Sequence, residues 1–168
     1  MFGRVTGFVT VSVSFCLRKV TERFCLGQTS ENRGGASVDT LMEMPEVFLI
    51  EDNPADVLLT RQALSKYPIP LKIRVAKDGE QALITLTTPD CKPNLIILDL
   101  NMPKVDGHTV LERYQSRNVP VVIFSSGGNE AEVERALALG AREYVKKPIG
   151  FRPFVDAVSG IVDRWLRN

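Results

Sequence analysis

A chain of 168 residues is long enough for one domain of ordinary size and too short for a multidomain enzyme. Its composition, 44% hydrophobic and 24% charged, excludes a globally disordered or collagen-like chain. A formal charge of +1 excludes the broad basic field that recruits nucleic acid or an anionic membrane, so any partner is expected to be recognised by a local patch.

The first forty residues carry five basic side chains (Arg4, Arg18, Lys19, Arg23, Arg33) against three acidic ones (Glu22, Glu31, Asp39). Val9, Val11, Val13 and Phe15 alternate with Thr10, Ser12 and Ser14, which suits a strand. Residues 27–40 have almost nothing apolar to bury and predict a loose linker. A secretory signal or an organelle transit peptide are two readings of this stretch, but hydroxyl residues dilute its apolar run and no small-x-small cleavage site follows. The reading adopted is an untranslated leader. Met42 and Met44 stand directly before the first convincing strand, so residues 1–41 are expected to be a disordered extension or the product of a misassigned start, with the domain over 42–168.

From Val47 onward strands and helices alternate. Residues 47–50 form a short apolar run, and Val57, Leu58, Arg61 and Leu64 follow at helical spacing. Residues 71–76 alternate again, 79–86 give a shorter helix, and 95–100 are apolar up to the rim, as in a strand buried on both faces. Val110, Leu111 and Tyr114 mark a third helix, 121–124 a fourth strand, and Val133, Ala136, Leu137 and Leu139 a helix that stops at Gly140. Tyr144 and Val145 make a last short strand. Phe154, Val155, Val158, Ile161, Val162 and Trp165 trace one face of a closing helix. Five strand–helix units predict an α/β fold, an open five-stranded parallel sheet with helices on both faces.

Cys16, Cys25 and Cys91 cannot all pair, and their spacings fit neither a CxxC redox site nor a zinc set, so a reduced, cytoplasmic protein is expected. No apolar run approaches the ~18 residues that cross a bilayer, and no membrane or nucleic-acid partner is expected.

In such sheets ligands bind beyond the carboxyl ends of the strands. The polar residues there are Glu51 and Asp52, then Asp99, then Ser125, then Lys147. Each has a plain structural reading. Asn53 and Pro54 cap and open a helix, acids near a helix N-terminus favour its dipole, Asp99 begins a turn-rich stretch, and Ser125 ends a strand. Together they say more, because two unit charges ~4 Å apart repel by about 4 kcal/mol at an effective dielectric near 20. A positive charge is therefore expected among the three carboxylates. Oxygen donors without His or Cys select a hard cation such as Mg2+, and Lys147 adds an ammonium. An exposed carboxylate in that setting is a candidate nucleophile toward a phosphoryl group, giving an aspartyl phosphate, with Ser125 as a hydroxyl donor to one phosphoryl oxygen.

The motifs EDN at 51–53, LDLNMPKVDG at 98–107, FSS at 124–126 and KKP at 146–148, in this order and spacing, resemble those of response-regulator receiver domains of the single-domain, chemotaxis-regulator-like kind. The resemblance runs from about Val47 to the end of the chain. It implies a flavodoxin-like (βα)5 fold with strand order 2-1-3-4-5. It also implies Asp99 as phosphoacceptor, a Mg2+ site from Glu51, Asp52, Asp99 and the backbone carbonyl of Asn101, and Lys147 in contact with the phosphoryl group. Ser125 and Tyr144 would be the switch pair that remodels the face around the fourth helix and fifth strand, and the Lys147–Pro148 peptide would be cis. The phosphoryl group would come from a sensor histidine kinase or a histidine phosphotransfer protein. The stretch EDNPADVLLTRQAL is further similar to the subgroup accompanying phytochrome-like sensor kinases. Ser125 stands where threonine is frequent, and Ser126 and Gly127 where phosphate lifetime is tuned.

Only the closing helix follows the fifth strand, so the expectation is a switch with no enzyme domain of its own, signalling to an unidentified downstream protein through residues 129–139 and Tyr144. A homodimer through that face is a further partner considered. Two other functions share parts of the pattern. A Mg-dependent phosphatase with an aspartate nucleophile needs a second acid two residues on, where Asn101 stands, and a phosphorylation-independent pseudo-receiver adaptor has no need of the intact acidic set. A flavodoxin would cradle phosphate where Glu51 and Asp52 repel it. A kinase lacks its Gly-rich loop, and the single histidine, His108, is expected to face solvent.

Overall fold

The computed structural model describes residues 44–114 and 118–166. The readings made for residues 1–41 lie outside them. Five strands, β1 (Glu46–Ile50), β2 (Lys72–Ala76), β3 (Leu95–Leu98), β4 (Val121–Ser125) and β5 (Glu143–Lys146), form one sheet in the order β2-β1-β3-β4-β5. Every pair is parallel. The helices are α1 (Pro54–Leu64), α2 (Gly79–Leu86), α3 (Gly107–Arg113), α4 (Glu130–Ala138) and α5 (Phe151–Leu166).

Successive strand side chains point to opposite faces, so the apolar runs supply two cores. Phe48, Ile50, Ile96, Leu98 and Ile123 pack on one face with Ala82 of α2, Val110 and Leu111 of α3 and Ala136 of α4. Val47, Leu49, Ile97, Val122 and Phe124 pack on the other with Ala63 and Leu64 of α1 and the apolar stripe of α5. Phe124 and Phe154 meet edge to face with centroids 5.0 Å apart, tying β4 to α5. Asn53, Asp78, Asp106 and Asn129 each accept a backbone N–H in the first turn of the helix they precede, so the four loops at the carboxyl edge end at fixed points.

At the opposite edge, buried Glu46 pairs with Lys72 at 2.7 Å and Arg74 at 2.5 Å, and Glu143 receives Trp165 Nε1 at 2.8 Å. Trp165 therefore sits at the far end of β5 from the polar rim.

Three expectations need correction. β3 ends at Leu98, because Asp99 leaves the ladder after its N–H bonds the Ile50 carbonyl. His108 is buried, 8% exposed, with Nε2 3.5 Å from the Glu132 carbonyl oxygen, since the start of α3 packs against α4. The described residues contain no cis peptide bond, so Lys147–Pro148 is trans, the form X–Pro favours by about 0.5–1 kcal/mol.

Candidate functional site

Four strands deliver the rim residues, and backbone bonds continue the ladder just past the strand ends. Glu51 N–H bonds Ala76 O, Asp99 N–H bonds Ile50 O, and Lys147 N–H bonds Ser125 O at 2.8 Å. Each side chain thus leaves a backbone fixed by the sheet rather than a free loop. The sharp turn after Asp99 needs Gly107, where an added Cβ would lie 2.5 Å from the Asp99 carbonyl oxygen. The same loop is held by Lys104, a left-handed residue at φ 66°, whose ammonium pairs with Asp78 at 2.7 Å.

Asp99 is 6% exposed, more buried than the exposed nucleophile expected from sequence, and both its oxygens are engaged. Oδ1 accepts the Ser125 hydroxyl at 2.6 Å and the Asn101 N–H at 3.1 Å. Oδ2 accepts Lys147 Nζ at 2.7 Å. Asn101 Nδ2 also donates to Ser125 Oγ at 3.2 Å. Glu51 lies deeper still: Oε1 accepts the Asn53 N–H at 3.1 Å and Oε2 accepts Lys147 at 2.7 Å.

Glu51, Asp52 and Asp99 each offer an oxygen within 4.8 Å of the others, the convergence inferred from sequence. The donors are all oxygen, and carboxylates outnumber the single ammonium. That combination fits a hard divalent cation.

Lys147 makes a third ion pair that sequence reasoning missed, to Asp56 Oδ2 at 2.8 Å. Asp56 reads in the sequence as an ordinary acid in the first turn of α1. Its signal was the register, since a first-turn acid following two rim acids can face the same rim.

Burial pushes Glu51 up to about 7, and the Asp99 charge adds to this against the pull of Lys147. Burial alone would lower Lys147, yet its bonds to Asp56, Asp99 and Glu51 hold it above the usual lysine range. The site therefore keeps its cation charged and one of its anions on the edge of protonation.

Tyr144 reaches the rim from β5. It packs on the α2–α4 core and donates its hydroxyl to the Gly127 carbonyl. Burial raises its phenol, with the Glu132 charge adding to this and the Ser125 hydroxyl opposing it. Gly128, at φ 134°, passes directly over that hydroxyl, where a Cβ would collide with it. Of the residues singled out from sequence, Glu51, Asp52, Asp99, Asn101, Ser125 and Lys147 are thus brought together, and Tyr144 adjoins them through the β4–α4 loop.

The family described as response regulator receiver domain matches residues 47–159. The chain is 31% identical to the response regulator Rcp1 of Synechocystis sp. over 73% of this chain and 89% of that protein. It is 30% identical to the probable methanogenesis regulatory protein FilR2 of Methanothrix harundinacea over 71% of this chain and 83% of that one. Among solved structures, the phosphorylated cyanobacterial phytochrome response regulator RcpA superposes with a TM-score of 0.69 at 33% identity, covering 73% of this chain and 94% of that one. The Mn2+-bound form of Rcp1 superposes with a TM-score of 0.69 at 31% identity, covering 74% and 96%.

Proposed function

The chain belongs to the response-regulator receiver family, and from that premise we propose that its receiver unit, residues 42–168, accepts a phosphoryl group on Asp99 from a histidine kinase or a histidine phosphotransfer protein. The observation that carries this reading is the engagement of both Asp99 oxygens by Ser125 and Lys147, beside two further acids at the mouth of the sheet. A pseudo-receiver would have no use for it.

Glu51, Asp52, Asp99 and the Asn101 carbonyl would hold the ion, and we assign it as Mg2+, with the Mn2+-bound form of Rcp1 supporting a divalent site. When bound, such an ion supplies positive charge between the acids and the phosphoryl oxygens. The remaining work falls to side chains. Lys147 offsets the charge of the phosphoryl group and orients it. Ser125, already 2.6 Å from Asp99, turns its hydroxyl to a phosphoryl oxygen. Tyr144 follows through the loop at Gly127, so that the surface around α4 and β5 changes shape for a downstream protein or a second copy of the chain. No helix among the described residues is long and apolar enough to cross a membrane, and the site of action proposed is the cytoplasm. The protein would then be a switch, with phytochrome-like sensors as the kinase class suggested by RcpA.

Incubation with acetyl phosphate and Mg2+ is expected to yield protein carrying one phosphoryl group by intact mass. Catalytic release of phosphate from many unrelated esters, with no adduct, would instead indicate a phosphatase.

Metal affinity is expected to follow Glu51. A ligand must lose its proton to bind, so with this carboxyl at about 7 the affinity for Mg2+ should weaken as pH falls below 7, approaching about tenfold per pH unit, and level off above it. Amide resonances around Glu51 and Asp99 report this; an affinity flat from pH 5.5 to 8 would contradict it.

A further inference from the structure

We propose that Asp56 is a positioning residue for phosphoryl transfer: it anchors the Lys147 ammonium at the mouth of the site while the lysine's bond to Asp99 passes to the phosphoryl oxygens. The inference rests on the function proposed above.

A lysine ammonium has three N–H donors. Here they go to Glu51 Oε2 at 2.7 Å, Asp99 Oδ2 at 2.7 Å and Asp56 Oδ2 at 2.8 Å. The three acceptors differ in what phosphorylation does to them. Asp99 becomes an acyl phosphate and loses its carboxylate charge, so the N–H it held turns to the phosphoryl group, which carries about two negative charges. Glu51 belongs with Asp52 and Asp99 to the acids whose oxygens converge for a cation, and it must share its charge between that ion and the lysine. Asp56 is outside that convergence and is not the nucleophile. Of the three acceptors it is the one that keeps its full charge for Lys147 from the resting protein to the adduct.

Its placement suits an anchor. Asp56 stands in the first turn of α1, whose start is fixed by the Asn53 cap and Pro54. Its side chain is 19% exposed, against 2% for Glu51 and 7% for Asp99, so it draws the ammonium outward, toward the side from which a phosphoryl donor enters.

In transfer from acetyl phosphate, an Asp99 oxygen attacks phosphorus and forms the new O–P bond. The bond from phosphorus to the acetate oxygen breaks, and acetate leaves with the electron pair. Lys147 meets the charge on the phosphoryl oxygens during this exchange, and its position counts, because a displacement of about 1 Å at such a site can cost on the order of 100-fold in rate. Held by Asp56, the ammonium pivots from Asp99 to the phosphoryl group without leaving the site.

The test measures phosphorylation of wild type, Asp56→Asn and Asp56→Ala by acetyl phosphate, each at Mg2+ saturating for that protein and in about 1 M salt. At that ionic strength the Debye length is about 3 Å, so repulsion between Asp56 and the anionic donor is screened, while the partly buried pair with Lys147 is screened much less. Asp56→Ala is expected to be phosphorylated roughly five- to tenfold more slowly, less than a fully buried charge-assisted bond is worth because water replaces an acceptor at this exposure. Asp56→Asn keeps an acceptor oxygen without the charge and should fall between the two. A urea midpoint in the same buffer identifies the folded variants. The second measurement is a crystal structure of wild type with Mg2+ and beryllofluoride, which takes the place of a phosphoryl group on an aspartate. Lys147 Nζ is expected within about 3 Å of both an Asp56 oxygen and a fluorine. This readout depends neither on a rate nor on the folding of a variant. A folded Asp56→Ala phosphorylated at the wild-type rate or faster, an Asp56→Asn faster than wild type, or an ammonium that has left Asp56 in the beryllofluoride form overturns this inference alone. Failure of wild type to take a phosphoryl group removes it together with the functional reading.

Discussion

Asp99→Asn is expected to abolish the phosphoryl adduct, lowering its formation by at least ~100-fold, because a neutral amide is not a nucleophile toward phosphorus. The fold should survive. The amide oxygen can keep the bonds from Ser125 and the Asn101 N–H, while Lys147 loses one acceptor and retains Glu51 and Asp56. The amide nitrogen then faces an ammonium, donor against donor, which is a local cost rather than a cavity. Loss of the adduct with an intact amide spectrum separates a chemical defect from unfolding. An adduct persisting at wild-type level would place the phosphoryl group elsewhere.

Lys147→Met is expected to cause the largest loss of stability of any rim substitution. It leaves Glu51 and Asp99 buried without their cation, and breaking a buried ion pair from one side costs about 3–5 kcal/mol. A thermal midpoint lower by on the order of 10 °C in metal-free buffer at pH 7.5 is the expected scale. The pH dependence follows from Glu51. Its folded-state value of about 7 lies above its ordinary 4.5, so its contribution to wild-type stability is complete below about pH 4.5 and is lost as pH rises through 7. Removing Lys147 deletes the group that pulls Glu51 down, so the deficit of the variant should be greatest above pH 7 and shrink toward pH 5. Millimolar Mg2+ should recover part of it by binding only the folded state. A deficit independent of both pH and Mg2+ would mean that the lysine stem, not its charge, carries the stability.

The sheet was legible because β1, β3 and β4 are apolar runs with a polar residue at or just past the end, and four of the five helices begin at a capping Asn or Asp. Those signals are local, and so is the rim they define. What lay beyond reach was depth and partner count. Nothing near Asp99 in sequence shows that it is nearly buried, since its cover comes from Ser125 and Lys147 on other strands. Asp56 was hidden because its local role beside Asn53 and Pro54 already explained it. His108 follows a glycine in a polar stretch and looks solvent-facing, but the packing of α3 on α4, a contact between distant segments, buries it. Trp165 lies at the opposite end of β5 from the pocket, bonded to Glu143, so amide resonances rather than indole fluorescence are the suitable probe of ion binding.

The most direct measurement is the location of the phosphoryl group. Protein treated with acetyl phosphate and Mg2+ is reduced with borohydride, which converts an aspartyl phosphate to homoserine, and its peptides are then sequenced by mass spectrometry. The account predicts homoserine at position 99 and nowhere else. Modification at Glu51, Asp52 or Asp56 with position 99 still aspartate, or no reducible acyl phosphate at all, would contradict it.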